Sequence, residues 1–167
     1  MRTKPCAAPM ATVRARPTIC SRSGSFSEGK LASIRGEAAP FFPGFRSHSV
    51  DCLGTSIHAV VGGDGPPLLL LHGAPQSHIM WREIAPTLAE RFTVVASDLR
   101  GYGLSAKPPG GIDHSAYSKR AMAADQVELM RTLGFDKYCL AGHDRGARGS
   151  HEGLPRTIRT KSYSWRS

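Results

Sequence analysis

The stretch YCLAGHDRGARGS, residues 138–150, passes from an apolar run into a tight turn rich in small residues. Asp144 lies at the apex of this turn, and Gly142 and Gly146 stand two positions to either side of it. A sharp turn from a strand into a helix needs small residues at both places, because larger side chains would collide there. The spacing indicates a nucleophile turn, although an ordinary strand-to-helix turn with Asp144 as N-cap has the same pattern.

Two further segments follow predicted strands in the same way. HGAP, residues 72–75, comes directly after the run LLLL, and a backbone N–H near Ala74 can join the N–H of Arg145 in an anion-binding pocket. SDLRGYGLSAKP, residues 97–108, leaves the next apolar run as a loop punctuated by glycines. The alternative for HGAP is a plain turn, and the alternative for residues 97–108 is a loop that only packs against the protein. Three such motifs in this order, each after a strand, favour one shared site.

The pattern between residues 41 and 148 is that of an α/β protein. HSVDCLG and SIHAVVGG form a predicted hairpin, and PPLLLL, FTVVAS and YCLAG are predicted strands buried within the protein. Residues 78–90 and 118–133 have helical periodicity. The apolar face of the first helix comprises Trp81, Ile84, Ala85 and Leu88, with Pro86 in the middle of the segment. Strands that alternate with helices predict a mostly parallel sheet, with ligands bound beyond the carboxyl ends of its strands.

The net charge of +9 is concentrated at the two ends of the chain. Residues 1–40 carry +5 and residues 150–167 carry +3, whereas residues 41–149 carry only +1. A nucleic-acid-binding domain more often has a basic face on its folded part, so we expect no nucleic-acid partner. The longest apolar run, LLLL at 68–71, is far too short to cross a bilayer, so we expect no membrane span.

Residues 1–40 are rich in Arg, Ser, Ala and Pro and have no sustained apolar period, which predicts a disordered basic extension. The same composition is typical of an organelle transit peptide, and translation from a misplaced start codon is another explanation. The cysteines lack metal-ligand spacing, so we expect free thiols, no metal and a cytoplasmic location. They are Cys6, Cys20, Cys52 and Cys139.

The segments PPLLLLHGAP, VVASDLRGYGLSAKP and LAGHDRGAR together resemble the α/β-hydrolase superfamily, in its branch of haloacetate dehalogenases and epoxide hydrolases. The resemblance runs from about residue 41 to residue 148. It implies the α/β-hydrolase fold, a nucleophile at Asp144 and no cofactor. Epoxide hydrolases usually carry tryptophan after the nucleophile, whereas this chain has Arg145. The nearest resemblance is therefore to haloacetate (fluoroacetate) dehalogenases.

The resemblance implies a small 2-haloacid as substrate, with an ester formed on Asp144. Arg145 and Arg148 are three positions apart, so they share a helix face that suits the substrate carboxylate; two plain surface arginines are the alternative. We expect His72 to order the oxyanion loop by a hydrogen bond rather than to act as the base, and His143 to be structural. Further supporting positions are Gly73, Pro75, Gly142 and Gly146.

The resembled family is roughly twice as long as this chain. We therefore expect only the N-terminal half of the fold, without the cap domain, the catalytic histidine and its acidic partner. Residues 149–167 lack any period, and PRTIRTKS at 155–162 can encode PDHPDKV in a neighbouring reading frame, a segment typical of the family at this place. We expect a frameshift after Arg148 and an inactive isolated chain. An epoxide hydrolase, a non-catalytic pseudogene product and a basic-tailed binding protein are the alternatives.

Overall fold

The computed structural model describes residues 36–112 and 114–147. The sequence-based expectations for residues 1–35 and for residues 148–167 therefore fall outside the described residues.

A six-stranded sheet forms the centre of the described structure, with its strands in the order β1-β2-β3-β5-β4-β6. The strands are β1 (Glu37–Ala38), β2 (Arg46–Cys52), β3 (Thr55–Gly62), β4 (Pro67–Leu71), β5 (Thr93–Ser97) and β6 (Cys139–Gly142). The α-helices are α1 (Ala85–Ala89) and α2 (Lys119–Thr132). A 3₁₀ turn precedes each of them, at His78–Trp81 before α1 and at Ser115–Tyr117 before α2. The predicted α/β architecture is confirmed.

Parallel pairing is confined to one part of the sheet. Strand β4 pairs in parallel with both β5 and β6. Strands β2 and β3 pair antiparallel as the predicted hairpin. The pairs β1–β2 and β3–β5 are also antiparallel. The described sheet is thus mixed rather than mostly parallel, and the carboxyl ends of β4, β5 and β6 lie at the same edge.

Strand β4 is buried on both faces, as its continuous apolar run predicts. Leu69 and Leu71 pack with α2 on one side of the sheet, in a cluster that includes Leu129 and Met130. Leu68 and Leu70 point to the opposite side and pack with Ala85 of α1. The alternation follows from the two-residue period of a strand, and it anchors β4 between two apolar layers.

The single helix predicted over residues 78–90 is wrong. The segment forms a 3₁₀ turn at His78–Trp81 and then the short helix α1, which has its proline in the first turn. Pro86 has no backbone N–H and cannot lie in a helix interior, so the helix begins just before it. As a result, Ala85 is buried but Ile84, which the helical pattern placed on the same inward face, is 47% exposed.

Helix α2 closely matches its prediction over residues 118–133. Ser118 is the N-cap, and its hydroxyl accepts a hydrogen bond from the N–H of Ala121 at 3.2 Å. Gly134 follows the helix with φ +86°, the left-handed conformation that ends many helices. In the part of the chain that the structure describes, no helix has the length and apolarity needed to cross a membrane.

Candidate active site

Three loops leave the sheet at the carboxyl ends of β4, β5 and β6. They are residues 72–77, residues 98–108 and the turn at residues 143–146. Because the three strands run parallel, these loops start at the same edge of the sheet. The sequence predicts that the three motifs meet at this edge, and the loop at residues 72–77 contacts each of the other two there.

The turn after β6 has a strained apex at Asp144, whose φ is +46°. Non-glycine residues rarely adopt this left-handed conformation, and aspartate is among those that tolerate it best. The turn is fixed to the end of β4 by two hydrogen bonds: the His143 N–H donates to Leu71 O at 2.9 Å, and the Gly146 N–H donates to His72 O at 3.1 Å. The sharp turn that the sequence predicts is present, and its apex is strained.

Both flanking glycines are required by close backbone contacts. A Cβ at Gly146 would lie 2.6 Å from the carbonyl oxygen of Leu71 and 2.7 Å from that of His72. A Cβ at Gly142 would lie 2.7 Å from the backbone nitrogen of Ala147. Carbon atoms cannot approach backbone atoms this closely, so the turn holds its shape only with glycine at both positions.

The HGAP loop contacts the Asp144 side chain directly. The backbone N–H of Ala74 donates a hydrogen bond to Oδ2 of Asp144 at 3.1 Å. Gly73 lies beneath this contact, and a Cβ there would be 2.8 Å from the Cβ of Asp144. A carboxylate held by a backbone N–H at an exposed apex is suited to attack an electrophilic carbon.

His72 holds the same loop in place from inside the protein, where its side chain is fully buried. The Leu99 N–H donates to Nε2 of His72 at 3.0 Å, so this nitrogen carries no proton. The proton is therefore on Nδ1, which donates to the Gly73 carbonyl at 2.7 Å. Burial lowers the pKa of His72. With both ring nitrogens occupied, His72 orders the loop, and it is not available as a base.

A buried aspartate that the sequence reading did not single out connects the loop after β5 to the 3₁₀ turn at His78–Trp81. Asp98 follows β5 and is 0% exposed. Its Oδ1 accepts from the His78 N–H at 2.7 Å, and its Oδ2 accepts from Nδ1 of His78 and from the Leu104 N–H, both at 2.9 Å. His58 Nδ1 lies 3.4 Å from Oδ2 without hydrogen-bond geometry.

Burial alone would raise the pKa of the Asp98 carboxyl, but the contacts from His58, His78 and the Leu104 N–H outweigh it and hold this pKa far below its usual range. His58, His78 and Asp98 are also close enough to share a metal ion. The Asp98 carboxylate is already occupied by three N–H donors, and a Cβ on Gly103 would lie 2.1 Å from Oδ2. The cluster is thus better suited to hold loops than to ligate a metal.

The family assignment rests on a match over residues 66–152 to the family described as the alpha/beta hydrolase fold. The match covers more than half of the chain. The chain belongs to this family.

Relatives of this chain include enzymes of two kinds. It is 59% identical over 110 residues to a fluoroacetate dehalogenase from a Burkholderia species, covering 66% of this chain and 36% of that protein. It is 50% identical over 99 residues to a soluble epoxide hydrolase from Corynebacterium sp. strain C12, covering 59% and 33%. The chain spans about a third of the length of these curated relatives.

A solved structure shows the same partial coverage. An epoxide hydrolase from an endophytic Streptomyces superposes with a TM-score of 0.61 at 38% identity, covering 65% of this chain and 32% of the other. The two proteins are therefore similar in amino-acid sequence as well as in fold.

The structure describes some of the remaining predicted positions and leaves others outside the described residues. Arg145 is exposed and begins a helical segment at residues 145–147, directly after Asp144. Arg148 lies outside the described residues, so the expected arginine pair stays a prediction. Pro75 is exposed and follows a cis peptide bond in the HGAP loop. His143 is exposed beside the apex, and its Nδ1 lies 3.1 Å from Oε1 of Gln76, a residue that the sequence motifs did not include.

Proposed function

We propose that this chain carries the nucleophilic half of a hydrolytic dehalogenase that acts on 2-haloacids. An oxygen of the Asp144 carboxylate attacks the carbon that bears the halogen. The new carbon–oxygen bond forms as the carbon–halogen bond breaks, and the halide leaves with the bonding electron pair. The product of this step is an alkyl ester on Asp144. A carboxylate is ionised at neutral pH, so the step needs no base.

The observation that carries the proposal is the placement of Asp144 at the strained apex, with Oδ2 bound by the Ala74 N–H. Aspartate rather than serine at this apex suits displacement at a saturated carbon, because the carboxylate is a ready nucleophile without an activating histidine. The pocket between Ala74 and Arg145, which the sequence predicts, would then stabilise negative charge on the carboxylate or on the ester when it is hydrolysed.

The proposed substrate carboxylate binds the guanidinium groups of Arg145 and Arg148. The haloacid and the Asp144 carboxylate are both negatively charged and repel each other. The two guanidinium groups would offset this repulsion and hold the haloacid close to the nucleophile. The relative named fluoroacetate dehalogenase, at 59% identity, supports this substrate class. The relatives named epoxide hydrolases support a second candidate, attack of the same carboxylate on an epoxide carbon. The residue after the nucleophile, Arg145 rather than tryptophan, favours the haloacid.

Hydrolysis of the ester needs a base that activates water, usually a histidine with an acidic partner. Within residues 36–112 and 114–147, His58, His72 and His78 each lie beside a carboxylate, and that carboxylate is the buried Asp98 in each case. We propose that the ester on Asp144 therefore accumulates in this chain and is not turned over.

Fluoroacetate and chloroacetate are expected to modify the protein once, adding the mass of one carboxymethyl group, with peptide mapping locating it on Asp144. Fluoroacetate is the more selective reagent because its carbon–fluorine bond resists attack by free thiols. Asp144→Asn removes the nucleophile and should prevent the modification. A parallel incubation with a small epoxide tests the second candidate.

The possible results of these incubations test the substrate class, the nucleophile and the accumulation of the ester separately. Modification by the epoxide but by neither haloacid would replace the proposed substrate class. An unmodified wild-type chain that is folded would argue against Asp144 as the nucleophile. Repeated halide release, with heavy oxygen from labelled water entering Asp144, would contradict the expected accumulation of the ester.

A further inference from the structure

Gln76 links the HGAP loop to the nucleophile turn. Its side-chain oxygen Oε1 accepts a hydrogen bond from the Gly73 N–H at 3.0 Å and lies 3.1 Å from Nδ1 of His143. Its backbone N–H also donates to the Gly73 carbonyl at 3.1 Å. A single amide oxygen thus contacts both loops that form the candidate site.

These contacts determine which nitrogen of His143 carries the proton. A backbone N–H can only donate, so the Gln76 atom that faces Gly73 must be the amide oxygen and not the amide nitrogen. The same oxygen faces Nδ1 of His143, and two acceptors cannot share a hydrogen bond. Nδ1 must therefore carry the proton, which leaves Nε2 of the neutral ring as a proton acceptor.

The contacts lie directly against the nucleophile. A Cβ on Gly73 would lie 2.9 Å from Oε1 of Gln76, 2.9 Å from Nδ1 of His143 and 2.8 Å from the Cβ of Asp144. The next residue, Ala74, donates its N–H to Oδ2 of Asp144. Any shift of Gly73 would therefore move the N–H that binds the nucleophile.

We propose that Gln76 is a positioning residue, which fixes His143 in the Nδ1-protonated form and aims the Ala74 N–H at Asp144. The second part rests on the proposed function of Asp144 as nucleophile, whereas the first part does not. Gln76 touches neither the carboxylate nor the expected position of the substrate carbon in the described contacts, so it acts through Gly73 and His143.

NMR of the full chain with isotope-labelled histidine rings tests the first part, because the chemical shifts of the two ring nitrogens report which one is protonated. In the wild type, His143 is expected to be protonated on Nδ1. Gln76→Leu removes the acceptor and should shift His143 towards protonation on Nε2, with faster hydrogen exchange at the Gly73 N–H. Gln76→Glu keeps an oxygen acceptor and should retain the wild-type form.

The rate of modification of Asp144 by chloroacetate tests the second part. We expect Gln76→Leu to slow it by about tenfold or more, since small misplacements of reacting groups have effects of this size, and Gln76→Glu to restore most of the rate. Ser77→Ala is the matched control, because the Ser77 side chain makes no capping hydrogen bond. It should match the wild type in both measurements.

A wild-type His143 protonated on Nε2 overturns the inference without any variant, so the test survives if Gln76→Leu fails to fold. An unchanged modification rate in folded Gln76→Leu overturns the positioning of Ala74. If the wild type shows the expected His143 signature but is not modified at all, the proposed function fails while the assignment of His143 stands.

Discussion

Asp98→Asn is expected to lower the free energy of unfolding by about 3–5 kcal/mol, the range for removing one partner from a buried charged network. The substitution conserves the side chain's shape but replaces one acceptor oxygen with an NH₂ group. Oδ1 receives the His78 N–H, and Oδ2 receives the Leu104 N–H and Nδ1 of His78. Whichever way the amide turns, one of these two backbone N–H groups faces another donor. Urea denaturation followed by circular dichroism measures the loss.

Asp136→Asn is the matched control, because Asp136 is exposed and the same chemical change there should alter stability by no more than about 0.5 kcal/mol. A comparable effect at the two positions would mean that the net charge, and not the buried network, controls stability. An Asp98→Asn variant as stable as the wild type would show that the loop after β5 and the 3₁₀ turn at His78–Trp81 do not depend on this carboxylate.

Two buried histidines predict how stability depends on pH. His72 has a folded-state pKa below its ordinary value of 6.5, and burial also lowers the pKa of His48. The unfolded chain therefore binds protons before the folded chain does, and stability falls as the pH drops below about 6.5, by up to about 1.4 kcal/mol per pH unit for each proton. Urea midpoints between pH 7.5 and 5.5 measure this slope, and a flat profile would contradict the assignment of His72 as a buried neutral ring.

Asp98 also makes the folded protein less stable as the pH falls, but in a lower pH range than the histidines. Its pKa is far below the ordinary 3.8 in the folded state, so its stabilising contribution is complete above the unfolded-state pKa and is lost as the pH falls through and below that value. Asp98→Asn should lack this acid-dependent loss while it keeps the loss near pH 6.5 that comes from the histidines.

The sequence predicts the nucleophile turn because its requirements are local. A strand, an aspartate and two glycines at fixed spacing are all contained within residues 138–146. Close backbone contacts explain both glycines, since Gly146 meets the end of β4 and Gly142 meets Ala147. The continuous apolar run that forms β4 is similarly decisive, since each of its residues is buried.

The Asp98 network could not be predicted in this way, because its members come from separate segments. His58 lies in β3, His78 in a 3₁₀ turn and Leu104 in the loop after β5. SDLRGYG shows only that a polar residue follows a buried strand, and no spacing in the sequence indicates which donors will reach it. The helix over residues 78–90 failed for a related reason: periodicity marked the apolar positions, but Pro86 decided where helical backbone could begin.

Gly146→Ala is expected to lower the free energy of unfolding by about 2–3 kcal/mol, near the upper end of the cost of overpacking a well-packed site, and to abolish modification of Asp144 by haloacids. The added methyl group would meet the carbonyl oxygens of Leu71 and His72 at 2.6 and 2.7 Å. Both are backbone atoms at the end of β4, which is held between two apolar layers and cannot move aside. The turn must shift instead, and Asp144 then loses its place opposite the Ala74 N–H.

Gly110→Ala supplies the matched control for this steric argument. A Cβ at Gly110 would have its nearest neighbour, Nδ1 of His114, at 3.5 Å, which is ordinary van der Waals contact. The same substitution there should leave both stability and modification close to wild type, or stabilise slightly by restricting the unfolded chain. If Gly146→Ala kept wild-type stability but lost modification, the glycine would serve the geometry of Asp144 alone. If it kept both, the turn would be able to move, and the rigid contact between the nucleophile and the HGAP loop would not be needed for the reaction.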